Sequence, residues 1–413
     1  MMNKLPKFAL FEDSLTQSDT KCFFDPVSEI KATDQESLLK AFDKLLKYQN
    51  QNLYLAGYIS YEASYYLNDA LQNLRSSDDG ILLHFVAYKN INNEFVTPMH
   101  TSDSSIDLLV DNITYNDYSN KFTDIQNSLT NGESYQINYT KNISGRTNLS
   151  GLELYSLLKK EQPVSYGAYL PFGDIELISL SPELFFRKNM QNITVKPMKG
   201  TAALTDDNET NIKILNDLKN CPKNKSENLI IVDLLRNDMA GICNTHTVKV
   251  NNPFRIEKYK SLLQMTTEIS GEIDVNTSFK EILNSLFPCG SITGAPKIRT
   301  MQIIKKLEDR NRHQYTGAIG YILPNNDMCF NVAIRTIQKQ NDNLNIGVGG
   351  GITVASNSYQ EWQEMHTKIN FIKRIYKPSF SLVESIYYKN SFRNIDMHLD
   401  RLQQTADRLF FDI

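Results

Sequence analysis

Lys199, in the run Val195-Lys196-Pro197-Met198-Lys199-Gly200-Thr201, has the setting of a reactive amine. The run reads as a strand, so Val195, Pro197 and Lys199 share one face, and Gly200 lets another backbone or a ligand come close. An amine attacks carbon only as the free base, so its pKa must fall from about 10.4 through desolvation or a neighbouring positive charge. Without such surroundings a lone lysine is a solvated surface group. Other stretches offer anion binding. In the strand-like run Met328 to Ile337, Phe330, Val332 and Ile334 fall on one face while Asn331, Ala333 and Arg335 fall on the other, which turns Arg335 away from the core. A guanidinium there suits bidentate contact with a carboxylate, with the Tyr315 hydroxyl as a further donor, although an acidic neighbour would explain the arginine as well. Gly347-Val348-Gly349-Gly350-Gly351 ends a strand, either as a plain glycine turn or as a place where the amides of Gly349, Gly350 and Gly351 approach a ligand.

Carboxylates recur on helical patterns. A helix over 359–374 stacks Trp362, Met365, Ile369 and Ile372 on a core stripe, and aligns Glu361, Glu364 and Lys368 on the adjacent face. An exposed Glu364–Lys368 pair is worth only about 0.3–0.5 kcal/mol. If that face is buried, a bound cation accounts better for two neighbouring carboxylates. Glu227 follows Ser226, a candidate helix cap, and a carboxylate in a first helical turn is favourable for structural reasons alone. Magnesium takes oxygen ligands, with one or two protein carboxylates and the rest from water and substrate. The six histidines are isolated in sequence and offer no other metal site.

The elements that must position these groups follow from pattern. Residues 35–48 place Leu38, Leu39, Phe42, Leu45 and Leu46 at helical spacing, and 53–61 reads as a strand. Polar turns are expected at 76–80 and 101–105. A helix over 115–129 leads into a strand near 132–140, and the short runs at 164–170, 176–180, 184–188 and 193–196 suggest an antiparallel meander. Residues 213–218 and 227–235 are helical candidates, although Leu229 to Val232 is apolar enough to pass as a strand. The loop 290–297 is not a phosphate-binding loop, because its lysine comes too late. It ends in Pro296 ahead of a helical stripe of Ile298, Met301, Ile304 and Leu307, and the amides at that helix start would suit a carboxylate.

A net charge of −3 and a pI near 6.1 argue against nucleic acid or an anionic membrane as a partner. The five cysteines are scattered and never form a C-x-x-C pair, and no leader or membrane-length apolar run is visible. A soluble, cytoplasmic protein with reduced thiols is expected.

Several blocks together resemble the chorismate-utilising enzymes and, within them, the component I family of aminodeoxychorismate synthases. They are Ser181-Pro182-Glu183, Lys196 to Thr201, Glu227 with Val232-Asp233-Leu234-Leu235-Arg236-Asn237-Asp238, and Gly290-Ser291-Ile292-Thr293-Gly294-Ala295-Pro296-Lys297. Tyr315 to Gly320, Phe330 to Arg335, and Gly347 to Ile352 with Glu361, Glu364 and Lys368 continue the series. The resemblance implies an α+β fold, an α/β sandwich of antiparallel β-sheets packed against helices. It divides the chain into an N-terminal region, 1–111, packed into the same unit, a chorismate-binding core, 112–375, and a tail, 376–413. That tail is similar to the opening of a fold-type IV pyridoxal-phosphate lyase and is expected to be an inactive fragment, or simply a terminal amphipathic helix.

By resemblance, Mg²⁺ is held by Glu227 and Glu364, with Glu361 as a further candidate. Chorismate contacts Tyr315, Arg335, Lys368, Thr293 and the amides of Gly349, Gly350 and Gly351. Lys199 attacks ring carbon C2 while Glu183 protonates the departing C4 hydroxyl, and ammonia then adds at C4 and expels the lysine. The product, 4-amino-4-deoxychorismate, leads to 4-aminobenzoate and folate. Anthranilate synthases carry alanine where Lys199 stands and add ammonia at C2, and isochorismate-type relatives add water there. A non-catalytic chorismate-binding subunit is the remaining alternative, which has no need of Lys199, Glu183 and the metal-site glutamates together. Gln264 stands where many relatives have histidine, and an amide cannot shuttle a proton. With no cysteine in a glycine-rich nucleophile turn, ammonia is expected from a partner glutamine amidotransferase subunit.

Overall fold

The computed structural model describes residues 5–16, 19–96, 106–205, 207–258, 262–378, 380–389 and 391–411. The expected turn at 101–105 lies outside them. Among the described residues eighteen strands form one hydrogen-bonded network in which every strand pairing is antiparallel. Many strands are apolar on both faces, and successive residues enter different cores. In the strand Tyr54–Ile59, Leu55 and Ile59 join one cluster while Ala56 and Tyr58 join another. In Ile175–Ser181, Leu177 and Ile178 divide in the same way. This is the two-residue period of a strand buried on both sides.

The cluster containing Phe11, Phe23, Tyr58, Tyr88 and Tyr321 is built from strands and the loop residue Ala333, and packs sheet on sheet. The other two clusters lie under helices. Gln35–Gln49, Pro222–Ala240 and Phe279–Leu286 cover one, and Tyr115–Thr130, Gly151–Glu161, Lys297–Leu307 and Ser358–Lys368 cover the other. The result is the expected α+β sandwich. Strands from residues 8–111 pair directly with later ones: Phe8–Glu12 with Tyr166–Phe172, Tyr54–Ile59 with Ala318–Ile322, and Ile106–Asp111 with Gln136–Thr147. Among the described residues no helix is long and apolar enough to cross a membrane. The tail carries a small hairpin and the helix Ile395–Leu409.

Several local expectations change. Gln35–Gln49 buries Leu38, Ala41, Phe42 and Leu45, while Leu39 and Leu46 are 42% and 49% exposed, because only one flank of the wide apolar stripe meets the sheet. The meander is two separate hairpins. Tyr166–Phe172 pairs with Ile175–Ser181 and Leu184–Asn189 with Asn192–Lys196, but the middle two strands pair with Thr336–Gln340 and Met328–Val332 instead of each other. The chain therefore crosses between hairpins at Pro182-Glu183, and the two strands paired with them, Met328–Val332 and Thr336–Gln340, are likewise separated by a crossover at 333–335. Met328 to Ile337 is accordingly not one strand, and Arg335 adopts φ +49° at the break. The two crossovers lie side by side, with the Val332 amide donating to the Glu183 carbonyl and the Leu180 amide to the Arg335 carbonyl.

Ser226 does not cap a helix. Pro222 occupies the first helical position, where its missing N–H costs nothing, and Glu227 falls in the second turn. The ambiguous Leu229 to Val232 is helical because Asn228, Ile231, Val232, Leu235 and Met239 share the buried side. The helix expected over 359–374 breaks at Ile369 into Ser358–Lys368 and Asn370–Lys373. In Lys297–Leu307 the buried residues are Thr300, Met301, Ile303, Ile304 and Leu307, and Ile298 is 37% exposed.

Candidate active site

Lys199 lies on the strand Met198–Ala203, which pairs with Leu262–Glu272. The register slips between Lys199 and Thr201, so Gly200 forms a bulge at φ +77°. Only glycine fits there, since a Cβ would stand 2.9 Å from the Asn224 side chain. A bulge re-aims its neighbours, and here the Lys199 amine enters a cavity of about 190 Å³. Its Nζ lies 3.5 Å from the Ser291 carbonyl oxygen. Burial lowers its pKa, with nearby Lys368 acting in the same sense and Glu227 and Glu183 opposing.

Glu183 reaches the same cavity from its crossover and is 4% exposed. Burial pushes its carboxyl up to about 7, against a hydrogen bond from Ser291 and the attraction of Lys199. One group is thus biased toward the free amine and its neighbour toward the protonated acid. Arg335 and Tyr315 line the cavity beside them. The Tyr315 ring occupies the space a side chain at 347 would need, since a Cβ on Gly347 would be 2.2 Å from it. Burial raises the Tyr315 phenol to about 12, which keeps it a hydrogen-bond donor.

Gly347 to Gly351 is not a turn: it fills the closing half of the strand Asn343–Ile352, paired with Gln136–Thr147. Thr140 and Asn138, opposite Gly349 and Gly351, send their amides to Glu308 and to the Thr293 carbonyl. Those are non-hydrogen-bonded pairs, so the polar backbone groups of Gly349 and Gly351 face the open edge at the cavity. Gly350 has the opposite phase. It does not border the cavity through its amide, but its Cα faces Glu361 and Lys368, where an added Cβ would lie 3.5 Å from each. The Gly350 amide is therefore not one of the ligand-facing amides that the resemblance implies.

Thr293 is also displaced from the expected set. It is fully buried, absent from the cavity wall, and its hydroxyl donates to the Cys289 and Gly290 carbonyls. It braces the turn that presents Ser291 and Ile292. The start of Lys297–Leu307 likewise misses the cavity, and Lys297 binds Asp238 at 2.7 Å. Arg312, 3% exposed, clamps that turn from behind through Glu308 and the carbonyls of Ile292 and Asn138.

The acidic groups divide in two. Glu361 is 3% exposed and accepts from the Ser356 hydroxyl at 2.6 Å and from Lys223 at 3.2 Å. Glu227 faces it from the helix Pro222–Ala240, 3.8 Å from Lys223, and its buried Oε1 has no hydrogen-bond partner. Burial raises the Glu227 pKa. Glu364, by contrast, has a 55% exposed side chain and pairs with Lys368 at 2.9 Å, which lowers its pKa. Lys368 also donates to the Gly349 carbonyl at 2.9 Å. Among the described residues no group of three or more His, Cys, Asp or Glu side chains is spaced to hold a metal unaided. Two carboxylates with an unsatisfied buried oxygen do fit magnesium's preference for few protein ligands.

Residues that the sequence reading passed over also line the cavity: Lys223 and Asn224, one helical turn before Glu227, and Asn138 on the strand opposite the glycines. Gln264 is there too, its Oε1 without a partner. Gln136, fully buried with neither amide atom bonded, lies beside Gly351, on the side of that glycine where the Lys199 amine also lies. Lys223 was findable from its four-residue spacing to Glu227, whereas Gln136 carries no signal in sequence.

The structure superposes on anthranilate synthase component I from Streptococcus pneumoniae with a TM-score of 0.74 at 21% identity, covering 90% of this chain and 94% of that one. The menaquinone-specific isochorismate synthase of Escherichia coli gives 0.72 at 14%, covering 91% and 89%. Aminodeoxychorismate synthase component 1 of Salmonella typhimurium is 33% identical over 63% of this chain and 58% of its own length, and that of Bacillus subtilis 32% over 62% and 55%. Anthranilate synthase component 1 of Pseudomonas aeruginosa is 32% identical over 62% of this chain and 52% of its length. The chain thus spans little more than half the length of these relatives, and the tail lies beyond the matched family region. The profile of chorismate binding enzymes matches residues 7–374, and the chain belongs to that family.

Proposed function

We propose that the chain converts chorismate and ammonia to 4-amino-4-deoxychorismate through a covalent Lys199 adduct. The observation that carries this reading is the pairing of Lys199, its pKa lowered by burial, with Glu183, its pKa raised to about 7, in one cavity. Lys199 as free amine attacks C2, both ring double bonds shift (C1=C2 to C1=C6 and C5=C6 to C4=C5), and the C4 hydroxyl leaves as water with the proton held by Glu183, which takes a proton back from the adduct nitrogen. Ammonia adds at C4, both double bonds shift back, the C2–N bond breaks, and Glu183 returns a proton to the Lys199 amine and regains one from the new ammonium group. Arg335 and Tyr315 orient the ring carboxylate, with Lys368 and the Gly349 and Gly351 backbone at its edge. Glu227 and Glu361, with Glu364 at the rim, would hold Mg²⁺, which supplies charge neutralisation to a substrate carboxylate. Gln264 can hydrogen-bond a ligand but moves no proton.

The similarity to component 1 proteins supports a partner, which we assign as a glutamine amidotransferase that delivers ammonia. The five unpaired cysteines support a reducing, cytoplasmic setting. Similar identity to an anthranilate synthase favours a second reading, ammonia addition at C2, which Lys199 disfavours. With chorismate, MgCl₂ and ammonium chloride, chromatography and mass analysis should find 4-amino-4-deoxychorismate, and Lys199→Ala should abolish it. Full product formation by Lys199→Ala would refute the mechanism, and anthranilate from the wild type would establish the second reading.

A further inference from the structure

Pro222 begins its helix, so Lys223 stands in the first turn with its ammonium beside Glu227 one turn on. A cation there opposes the helix dipole, and its placement needs another cause. The cause is acidic: the same ammonium reaches across to Glu361 on the helix Ser358–Lys368, 3.2 Å away and 3.8 Å from Glu227. Among the described residues no other lysine or arginine makes ion pairs with both carboxylates, and Lys368 is held by Glu364 and Gly349. Magnesium needs its oxygens at about 2.0–2.1 Å. The Lys223 ammonium occupies the ground between the two carboxylates that such an ion would take. Its side chain is 40% exposed, so the four-carbon stem has an open route outward.

We propose that Lys223 is a built-in stand-in for the divalent cation: its ammonium and a metal ion at Glu227 and Glu361 exclude one another, so the lysine tunes the affinity of the site for the metal. The inference rests on the magnesium reading given above. In the metal-free protein Lys223 holds the two helices' carboxylates together, and metal binding releases it to solvent or to the anionic ligand.

The test uses the full chain without chorismate. Calorimetric titration with MgCl₂ at fixed ionic strength compares wild type, Lys223→Met, Lys223→Arg and Glu227→Gln. Lys223→Met should bind Mg²⁺ roughly five- to tenfold more tightly, the equivalent of losing two partly exposed ion pairs, and Lys223→Arg should stay near wild type. Independently, reductive methylation of Lys223 in the wild type, followed by peptide mass analysis, should accelerate on adding MgCl₂. If Glu227→Gln abolishes binding but Lys223→Met binds no more tightly than wild type, or Mg²⁺ slows methylation, the stand-in role is wrong and the metal reading survives. If Glu227→Gln binds as wild type does, or the wild type binds no Mg²⁺ even with a non-reacting dicarboxylate present, both fall.

Discussion

Gly351→Ala displaces the amine without touching its chemistry. An alanine Cβ at 351 would lie 2.9 Å from the Gln136 Nε2, 3.0 Å from its Cδ and 3.2 Å from the Lys199 Nζ. Ordinary contacts begin near 3.4 Å, so something must yield by a few tenths of an ångström. Gln136 makes the tighter contact and must turn its amide end aside, and the Lys199 amine, itself too close, is pushed toward the cavity it faces. Gly351 sits within a strand and outside the positive-φ residues, so alanine brings no backbone strain and the fold should hold. A misplacement of about 1 Å can cost about 100-fold in rate, so about half that displacement predicts a kcat lowered roughly tenfold, with KM within about twofold. The control is Gly350→Ala, whose Cβ meets Glu361 and Lys368 at an ordinary 3.5 Å and should keep kcat within about twofold. Steady-state rates with ammonium chloride as nitrogen source, followed by product chromatography, measure both. A Gly351→Ala enzyme as fast as wild type would mean that the position of the Lys199 amine does not set the rate.

Glu183→Gln should stabilise the protein at pH 8 and change it little at pH 4. A carboxyl raised from 4.5 to about 7 favours folding most when protonated, and that contribution is lost as pH rises through about 7. The full effect is at most about 3 kcal/mol, read from urea unfolding at the two pH values, and an equal ΔΔG at both would contradict the burial account. The same variant should lose most amination activity, because an amide cannot deliver the proton. Arg312→Leu leaves buried Glu308 with its Thr140 hydrogen bonds but without its cationic partner and should cost about 3–5 kcal/mol. Arg312→Leu with Glu308→Leu should recover part of that loss in the same assay, and no recovery would show that the backbone contacts to Ile292 and Asn138 dominate.

The legible parts of the sequence were those in which local pattern and final environment agree. Capped helices such as 35–49 and 115–130 follow from apolar spacing and a polar residue at the cap, and local order suffices. Lys199, Glu183, Arg335, Tyr315, Lys368 and the glutamates line one cavity despite separations of more than 180 residues, and their motifs identified them where spacing alone did not. Pairing partners were not legible. Nothing local to 176–188 says that its two strands part to join 328–340, yet that parting places Glu183 and Arg335 in adjacent crossovers. Thr293 misled because motif membership does not separate a residue that touches ligand from one that braces the turn beneath it.

The charges of the cavity explain why an amine and an acid can be poised there together. Its lining carries four cationic side chains, Lys199, Lys223, Arg335 and Lys368, and four carboxylates, Glu183, Glu227, Glu361 and Glu364. If Lys199 passes to free amine and Glu183 to neutral acid, each sign loses one charge and the balance is unchanged. Burial drives both groups in those directions, so neither has to be forced by a net field from the other residues. The proposed substrate is a dianion and the proposed metal a dication, so their joint entry adds no net charge when Lys223 passes from the metal's place to the anionic ligand, whereas the dianion alone would leave two uncompensated charges in a partly desolvated space and the dication alone at least one. Such a cavity should bind the two together far better than singly. Magnesium should therefore tighten chorismate and chorismate tighten magnesium by the same factor, as reciprocity requires. Equal affinities for magnesium with and without a non-reacting dicarboxylate analogue would break this account of the site.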